Sequence, residues 1–201
     1  MLRAAIVLGL AGLAGAPAAA EVVASSDAGF VIKHVVDVPA TPADSWKALI
    51  APAGWWNSAH TYSADSANLY IDAQASGCFC ELLPLPKDAP EGTRRGSVEH
   101  MHIVYAEPSR VLRMKGGLGP LQSEAVDGTL TITLKPIDGG GTRMQWFYVV
   151  GGYARFKFPE MAVSVDKVVG EQAARLGKLL GAKFDEVPAK PVPAASDEAK
   201  P

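Results

Sequence analysis

The sequence has few cysteines, no excess of charge of one sign and only one long hydrophobic run. Its 201 residues include two cysteines, 19 lysines and arginines and 21 acidic residues, for a formal net charge of −2. Two cysteines are too few for a disulfide-stapled scaffold, and the absence of a basic excess argues against a nucleic-acid partner. The hydrophobic content of 48% is too high for a disordered chain. We therefore expect a globular protein held together by its core.

Standard catalytic and cofactor motifs are also absent. The sequence contains no G-x-S-x-G, H-E-x-x-H or G-x-x-x-x-G-K-[ST] motif. A glycine-rich segment at 116–120 has no helix after it to hold a phosphate, so we interpret it as a turn or bulge at the mouth of a sheet. The sequence therefore favours a binding protein over an enzyme and predicts no cofactor.

The one long hydrophobic run lies at the N-terminus and has the features of a secretory signal peptide. Arg3 precedes an apolar stretch from Ala4 to Ala16, and small residues follow it. This pattern predicts cleavage between Ala20 and Glu21 and a periplasmic or secreted protein. The alternative is an uncleaved membrane anchor, but the stretch is shorter than the roughly 20 residues that span a bilayer. We expect residues 1–20 to be a signal peptide and the mature chain to have no anchor.

The C-terminal segment 186–201 also lies outside the predicted domain. It is rich in proline and alanine, with scattered charges and no amphipathic pattern, which is typical of a disordered tail. The remaining residues, 21–185, have the length of a single domain with a core of its own.

The hydrophobic pattern of this domain predicts an α+β fold. A β-branched strand, Phe30–Val38, is followed by a helix that starts at Thr41 and by a second short helical or irregular segment at Trp55. Period-two patterns then predict six strands: Asn68–Ala73, Gly77–Leu83, Gly96–Tyr105, Val111–Lys115, Gly128–Leu134 and Thr142–Val150. An amphipathic helix follows at Pro159–Leu180. We expect a helix-grip fold, in which a seven-stranded antiparallel curved sheet wraps around the long C-terminal helix, with two short helices after the first strand.

This order of elements resembles that of the START-like superfamily, also called SRPBCC, helix-grip or Bet v 1-like. Specific segments are similar to its branch named after the activator of Hsp90 ATPase: the strand ending at Pro39 before a helix with Trp46, the turn before Trp55-Trp56, the Gly77-Cys78-Phe79-Cys80-Glu81 strand start and the long final helix. The resemblance spans Gly29 to Leu180. It implies an apolar cavity between sheet and final helix, which holds lipids, hormones or aromatic polyketides in some members, while others are cyclases or bind a chaperone.

A secreted protein would not meet cytosolic Hsp90, so the resemblance implies a small apolar or aromatic molecule as the partner. The sequence makes no prediction about the oligomeric state. The candidate ligand-binding residues are Trp55, Trp56, His60, Tyr62, Phe79, Glu81, Trp146, Tyr148, Met161 and Val165. The alternative interpretation is that the aromatic rings among them simply fill the core.

An enzyme of the cyclase or hydrolase type on the same fold is a second hypothesis. It needs a buried acid–base group in the cavity, and the candidates are Glu81, His60, His100 and His102. His34 stands alone on the first strand, and we interpret it as structural.

A metal-binding or redox protein is the third hypothesis. Cys78 and Cys80 share one face of a strand, and His100 and His102 share one face of the next, because side chains alternate with a period of two. Hairpin pairing would place Cys78 opposite His102 and Cys80 opposite His100, a possible zinc or copper ligand set. A flat sheet is poor for tetrahedral geometry, so a metal site is not favoured. A Cys78–Cys80 disulfide would need a bulge or a turn, and buried, reduced thiols are the preferred interpretation.

Overall fold

The computed structural model of the protein describes residues 21–184, which form one antiparallel sheet and two α-helices. The strands are β1 (Glu21–Ser26), β2 (Gly29–Val38), β3 (Leu69–Ile71), β4 (Cys78–Leu82), β5 (Ser97–Glu107), β6 (Val111–Lys115), β7 (Ala125–Pro136) and β8 (Thr142–Tyr153). The helices are α1 (Pro42–Leu49) and α2 (Phe158–Leu179). The eight strands pair in the order β1-β2-β8-β7-β6-β5-β4-β3. This confirms the α+β class, and the curved sheet with its C-terminal helix fits a helix-grip arrangement broadly.

Two details of the predicted fold are wrong. The sheet has eight strands where seven were predicted, because β1 pairs with β2 across a tight turn. The sequence of β1, EVVASS, lacks a regular alternation, so its pairing and not its pattern makes it a strand. The second short α-helix is also missing: within residues 21–184, single 3-10 turns at Pro52–Gly54, Ser58–His60 and Ser66–Asn68 follow α1. Proline and glycine in the first of these turns prevent a longer helix.

The start of α1 and the end of α2 are both capped. Thr41 caps α1, its side chain accepting a hydrogen bond of 3.2 Å from the Asp44 N–H, and Pro42 occupies the first turn. After α2, Gly181 adopts a φ of 87°, and the Ala182 N–H donates to the Gly177 carbonyl at 2.8 Å. No helix within residues 21–184 combines the length and apolar character that crossing a membrane requires.

The core lies between the inner face of the sheet and α2. Met144, Trp146, Tyr148 and Val150 alternate inward along β8. Helix α2 packs mainly on β1 and β2. The irregular segment that connects α1 to β3 covers β4, where the Trp56 ring lies 5.0 Å from that of Phe79. The predicted signal peptide and tail lie outside the described residues.

Candidate ligand-binding cavity

A cavity of about 360 Å³ lies where α2 meets the segment 56–62, strand β5 and the connection between β6 and β7. Its lining is mostly apolar: Trp56, His60, Thr61, Tyr62, His100, Leu118, Gly119, Pro120, Met161, Ser164, Val165, Val168 and Val169. Of the predicted ligand-binding residues, Trp56, His60, Tyr62, Met161 and Val165 lie in this lining. The other five do not.

The remaining predicted aromatic residues belong to the core behind the cavity. Trp55 and Trp146 make an edge-to-face contact with ring centroids 5.8 Å apart, and Phe79 packs behind Trp56. The Tyr148 hydroxyl donates to the Gly116 carbonyl at 2.9 Å and accepts from the Leu118 N–H at 3.2 Å. Tyr148 therefore holds the β6–β7 connection in place without lining the cavity itself.

The cavity wall contains one polar side chain that is almost fully buried, His100. Its Nε2 lies 3.0 Å from Oε2 of Glu81, whose carboxylate is fully buried behind it. The same carboxylate accepts hydrogen bonds from the backbone N–H groups of Tyr62, at 3.0 Å, and of Ser63. Every polar contact of Glu81 is thus with a donor or with the imidazole.

These contacts set the charge of the pair. Burial would raise the pKa of Glu81, but the hydrogen bonds from Ser63, Tyr62 and His100 outweigh it and lower the pKa below its ordinary value. Burial lowers the pKa of His100 despite the neighbouring carboxylate. At neutral pH Glu81 is therefore charged and His100 is neutral. The Nε2–H must then donate to Glu81, which leaves the lone pair of the imidazole on Nδ1.

A bulge in β5 places His100 in the cavity wall. Phe79 pairs with Met101, but the next residue, Cys80, pairs with Glu99, so His100 is an extra residue in the ladder. His100 and Met101 are consequently both buried, whereas His102 is exposed. The predicted pairing of Cys80 with His100 is wrong, and the pairing of Cys78 with His102 is confirmed.

Three side chains of α2 fasten the segment before His60 to the helix. Arg175 donates to the Trp55 carbonyl at 2.7 Å, and Gln172 accepts from the Asn57 N–H at 2.8 Å. Glu171 contacts Asn57, and its Oε2 lies 3.2 Å from Nε2 of His60. These contacts fix one rim of the cavity.

The opposite rim was not predicted. Leu118, Gly119 and Pro120 line the cavity, whereas the glycine-rich segment was interpreted as a turn or bulge at the mouth of the sheet, with no part in binding. The Tyr62 hydroxyl donates to Oε1 of Gln122 at 3.0 Å and so joins the two rims. The only signal in the sequence was the run of glycines, which indicates close approach of backbone but not what approaches it.

The same fold is found in protein MLL2253 from Mesorhizobium loti. The two chains are 15% identical, with a TM-score of 0.51 over 75% of this chain and 96% of that one. Protein Ms6760 from Mycobacterium smegmatis is 16% identical, with a TM-score of 0.48 over 77% of this chain and 93% of that one. CalU16 from Micromonospora echinospora is 16% identical, with a TM-score of 0.46 over 76% of this chain and 75% of that one. No protein-family model and no curated protein matches the chain. The similarity to MLL2253 shows the fold alone.

The four residues considered for a metal do not form one site. His100 faces the cavity, and His102 lies on the outer face of the sheet, because the bulge reverses the expected alternation. Within residues 21–184, no group of three or more histidine, cysteine or acidic side chains could hold a metal ion. The outward position of His102 also separates it from any acid–base chemistry in the cavity.

Cys78 and Cys80 form a disulfide, so the preference for reduced thiols is wrong. Their Cα atoms are 5.4 Å apart, within the normal range for a disulfide. The disulfide lies where the β4–β5 pairing shifts register, although the extra residue of that bulge is His100 on β5 and not a residue of β4.

Proposed function

We propose that this is a START-like protein that binds a small, mainly apolar ligand in the cavity between α2 and the sheet. The observation that carries the proposal is the cavity of about 360 Å³, with a mostly apolar lining and one buried histidine in its wall. This volume lies in the range of ligand pockets, which typically combine an apolar lining with a few polar groups that orient the ligand. The signal-peptide pattern of residues 1–20 supports a periplasmic or secreted location.

The buried histidine favours a ligand with one hydrogen-bonding group. Glu81 takes the Nε2–H of His100, so the imidazole offers an acceptor on Nδ1. A hydroxyl can donate to this nitrogen, whereas a hydrocarbon leaves it without a partner. The preferred ligand class is therefore an aromatic or alicyclic molecule that carries a hydroxyl.

Naphthalene and 2-naphthol are a matched pair of probes for this proposal. We expect both to quench tryptophan fluorescence, because Trp56 lines the cavity. One hydrogen bond is worth about 1 kcal/mol, so 2-naphthol should bind about fivefold more tightly than naphthalene. His100→Leu should abolish this difference while leaving naphthalene binding nearly unchanged.

Two phenylalanine variants on α2 test whether the probes occupy the cavity. Val168→Phe places a larger side chain in the lining and should weaken both probes at least tenfold. Val163→Phe is the control, because Val163 is 66% exposed on the same helix. Equal binding to Val168→Phe and to the wild type would refute the proposed site.

The His100–Glu81 pair also favours a second candidate function, an acid–base enzyme of the hydrolase type. A neutral histidine oriented by a buried carboxylate is the arrangement that general-base catalysis uses. If the pair acts in this way, release of 2-naphthol from 2-naphthyl acetate should fall at least about 100-fold in His100→Gln. Binding of 2-naphthol itself should change only a few-fold. Hydrolysis no faster than that in buffer would exclude an esterase and leave the binding proposal intact.

A further inference from the structure

The Cys78–Cys80 disulfide lies on the face of the sheet opposite the cavity. Phe79 and Glu81 point inward, where both contact His100. Side chains alternate along a strand, so Cys78 and Cys80 point outward. Cys78 is partly exposed and Cys80 is buried. A reagent in solution can therefore reach the Cys78 sulfur more easily than the Cys80 sulfur.

The position of this disulfide does not suit a structural staple. It closes a loop of three residues inside a single strand and joins no two elements of the fold. A disulfide stabilises chiefly by restricting the unfolded chain, and it restricts least when the loop is shortest. Its main effect is local, at the bulged pairing of β4 with β5.

Two polar side chains of β5 face the disulfide on the same side of the sheet. His102 is the register partner of Cys78, and Glu99 is the partner of Cys80. Opposed residues in an antiparallel pair have Cβ atoms about 5 Å apart. The Nδ1 of His102 lies 3.5 Å from Oε1 of Glu99, and both side chains are about half exposed, at 47% and 56%. A histidine beside a cysteine stabilises the thiolate, and a carboxylate can orient that histidine.

We propose that Cys78 and Cys80 form a thiol–disulfide exchange site on the outer face of the sheet, supported by His102 and Glu99. The co-reactant is a solvent-accessible dithiol of a protein or peptide. This site is independent of the cavity and does not rest on the binding proposal.

The exchange is balanced over two steps. A thiolate of the dithiol attacks the Cys78 sulfur, the Cys78–Cys80 bond breaks, and its electron pair leaves on the Cys80 sulfur, which takes a proton. The mixed disulfide joins the first sulfur of the co-reactant to the Cys78 sulfur. The second thiolate of the co-reactant then attacks that first sulfur, and the electron pair of the broken bond leaves on Cys78. The co-reactant is oxidised to a disulfide by two electrons, and both its protons end on the cysteines.

Single-cysteine variants of the full chain test which sulfur reacts. With oxidised glutathione as the probe, Cys80→Ser should form a mixed disulfide at Cys78, read by mass spectrometry. Cys78→Ser, the matched control, should react at least tenfold more slowly because its remaining thiol is buried. Equal rates for the two variants would overturn the proposal.

The wild type provides a readout that does not depend on how the variants fold. Its disulfide should be reduced by a dithiol peptide in stoichiometric amount, with unchanged circular dichroism. A disulfide that yields only when the protein is unfolded in urea would mark it as structural and refute the site.

His102 is a supporting residue, and its role requires a pH profile. The charged groups near it are Glu99, the cross-strand Lys115, which is paired with Asp127, and Asp72 beside Gly77. His102→Ala should slow the reaction of Cys78 several-fold near pH 7 and move its pH profile to higher pH. Val104→Ala, an exposed change on the same strand, should alter neither. An unchanged profile in His102→Ala would remove His102 from the mechanism.

Discussion

Glu81 is a fully buried carboxylate whose contacts are the N–H groups of Tyr62 and Ser63 and the imidazole of His100. Glutamine has nearly the same shape but replaces one acceptor oxygen with a donor. In Glu81→Gln, one of the surrounding N–H groups would therefore face an NH₂ group without an acceptor. Leaving a buried donor unsatisfied is costly, and more so when a charged acceptor has been lost.

We expect Glu81→Gln to lower the free energy of unfolding by about 2–3 kcal/mol at pH 7. Urea denaturation followed by tryptophan fluorescence measures this change. Glu99→Gln is the control: Glu99 lies on the adjacent strand with a 56% exposed side chain, and its change should stay within about 0.5 kcal/mol. A loss as small in Glu81→Gln as in the control would contradict the role given to Glu81.

His100 and His102 show what a residue pattern cannot predict. Their spacing puts them on one face of a regular strand, but the structure places one in the cavity wall and the other on the outer face. The bulge that separates them depends on how β5 pairs with β4, and pairing is a property of two strands together. The residue types of the site were thus predictable, but their grouping was not.

At the scale of elements, the prediction succeeded where a long segment carries its own signal. Helix α2 was predicted at 159–180 and is observed at Phe158–Leu179, because its apolar stripe spans six turns and a glycine follows it. Strand β8 was likewise predicted from its alternation. Strand β1 has only six residues and gains its structure from β2, so its sequence alone did not reveal it.

The cavity was predictable only in part, because two different kinds of element form it. Its helical side was expected from α2, and three residues of the segment 56–62 were also named as candidate ligand-binding residues. Its other side consists of irregular backbone at 56–62 and 118–120, held by Arg175, Tyr148 and Tyr62. Such segments follow no periodic pattern, so their position depends on tertiary hydrogen bonds that the sequence does not display.

For the whole molecule, two buried histidines and the buried Glu81 make stability fall on acidification. Burial lowers the pKa of His34 and that of His100 below the ordinary histidine value of 6.5. For His34 this holds although its Nε2 lies 3.0 Å from Oδ1 of Asp166. The unfolded chain therefore binds more protons than the native state as the pH falls through 6.5. The histidine contribution is fully present above that value and is lost on acidification. The lowered pKa of Glu81 acts in the same sense below the ordinary value of 4.5.

We expect the free energy of unfolding to be constant from pH 8 to 7 and to fall between pH 7 and 5.5, as measured by urea denaturation. The double variant His34→Gln/His100→Gln should be less stable at pH 7 but should lose much less between pH 7 and 5.5, because its two buried imidazoles are gone. Ile103→Val is the control: it removes one buried methylene near His100, costs about 1 kcal/mol at each pH, and should keep the wild-type slope. A wild-type stability that rises or stays level as the pH falls to 5.5 would contradict the neutral state assigned to both histidines, and with it the acceptor that His100 offers to a ligand.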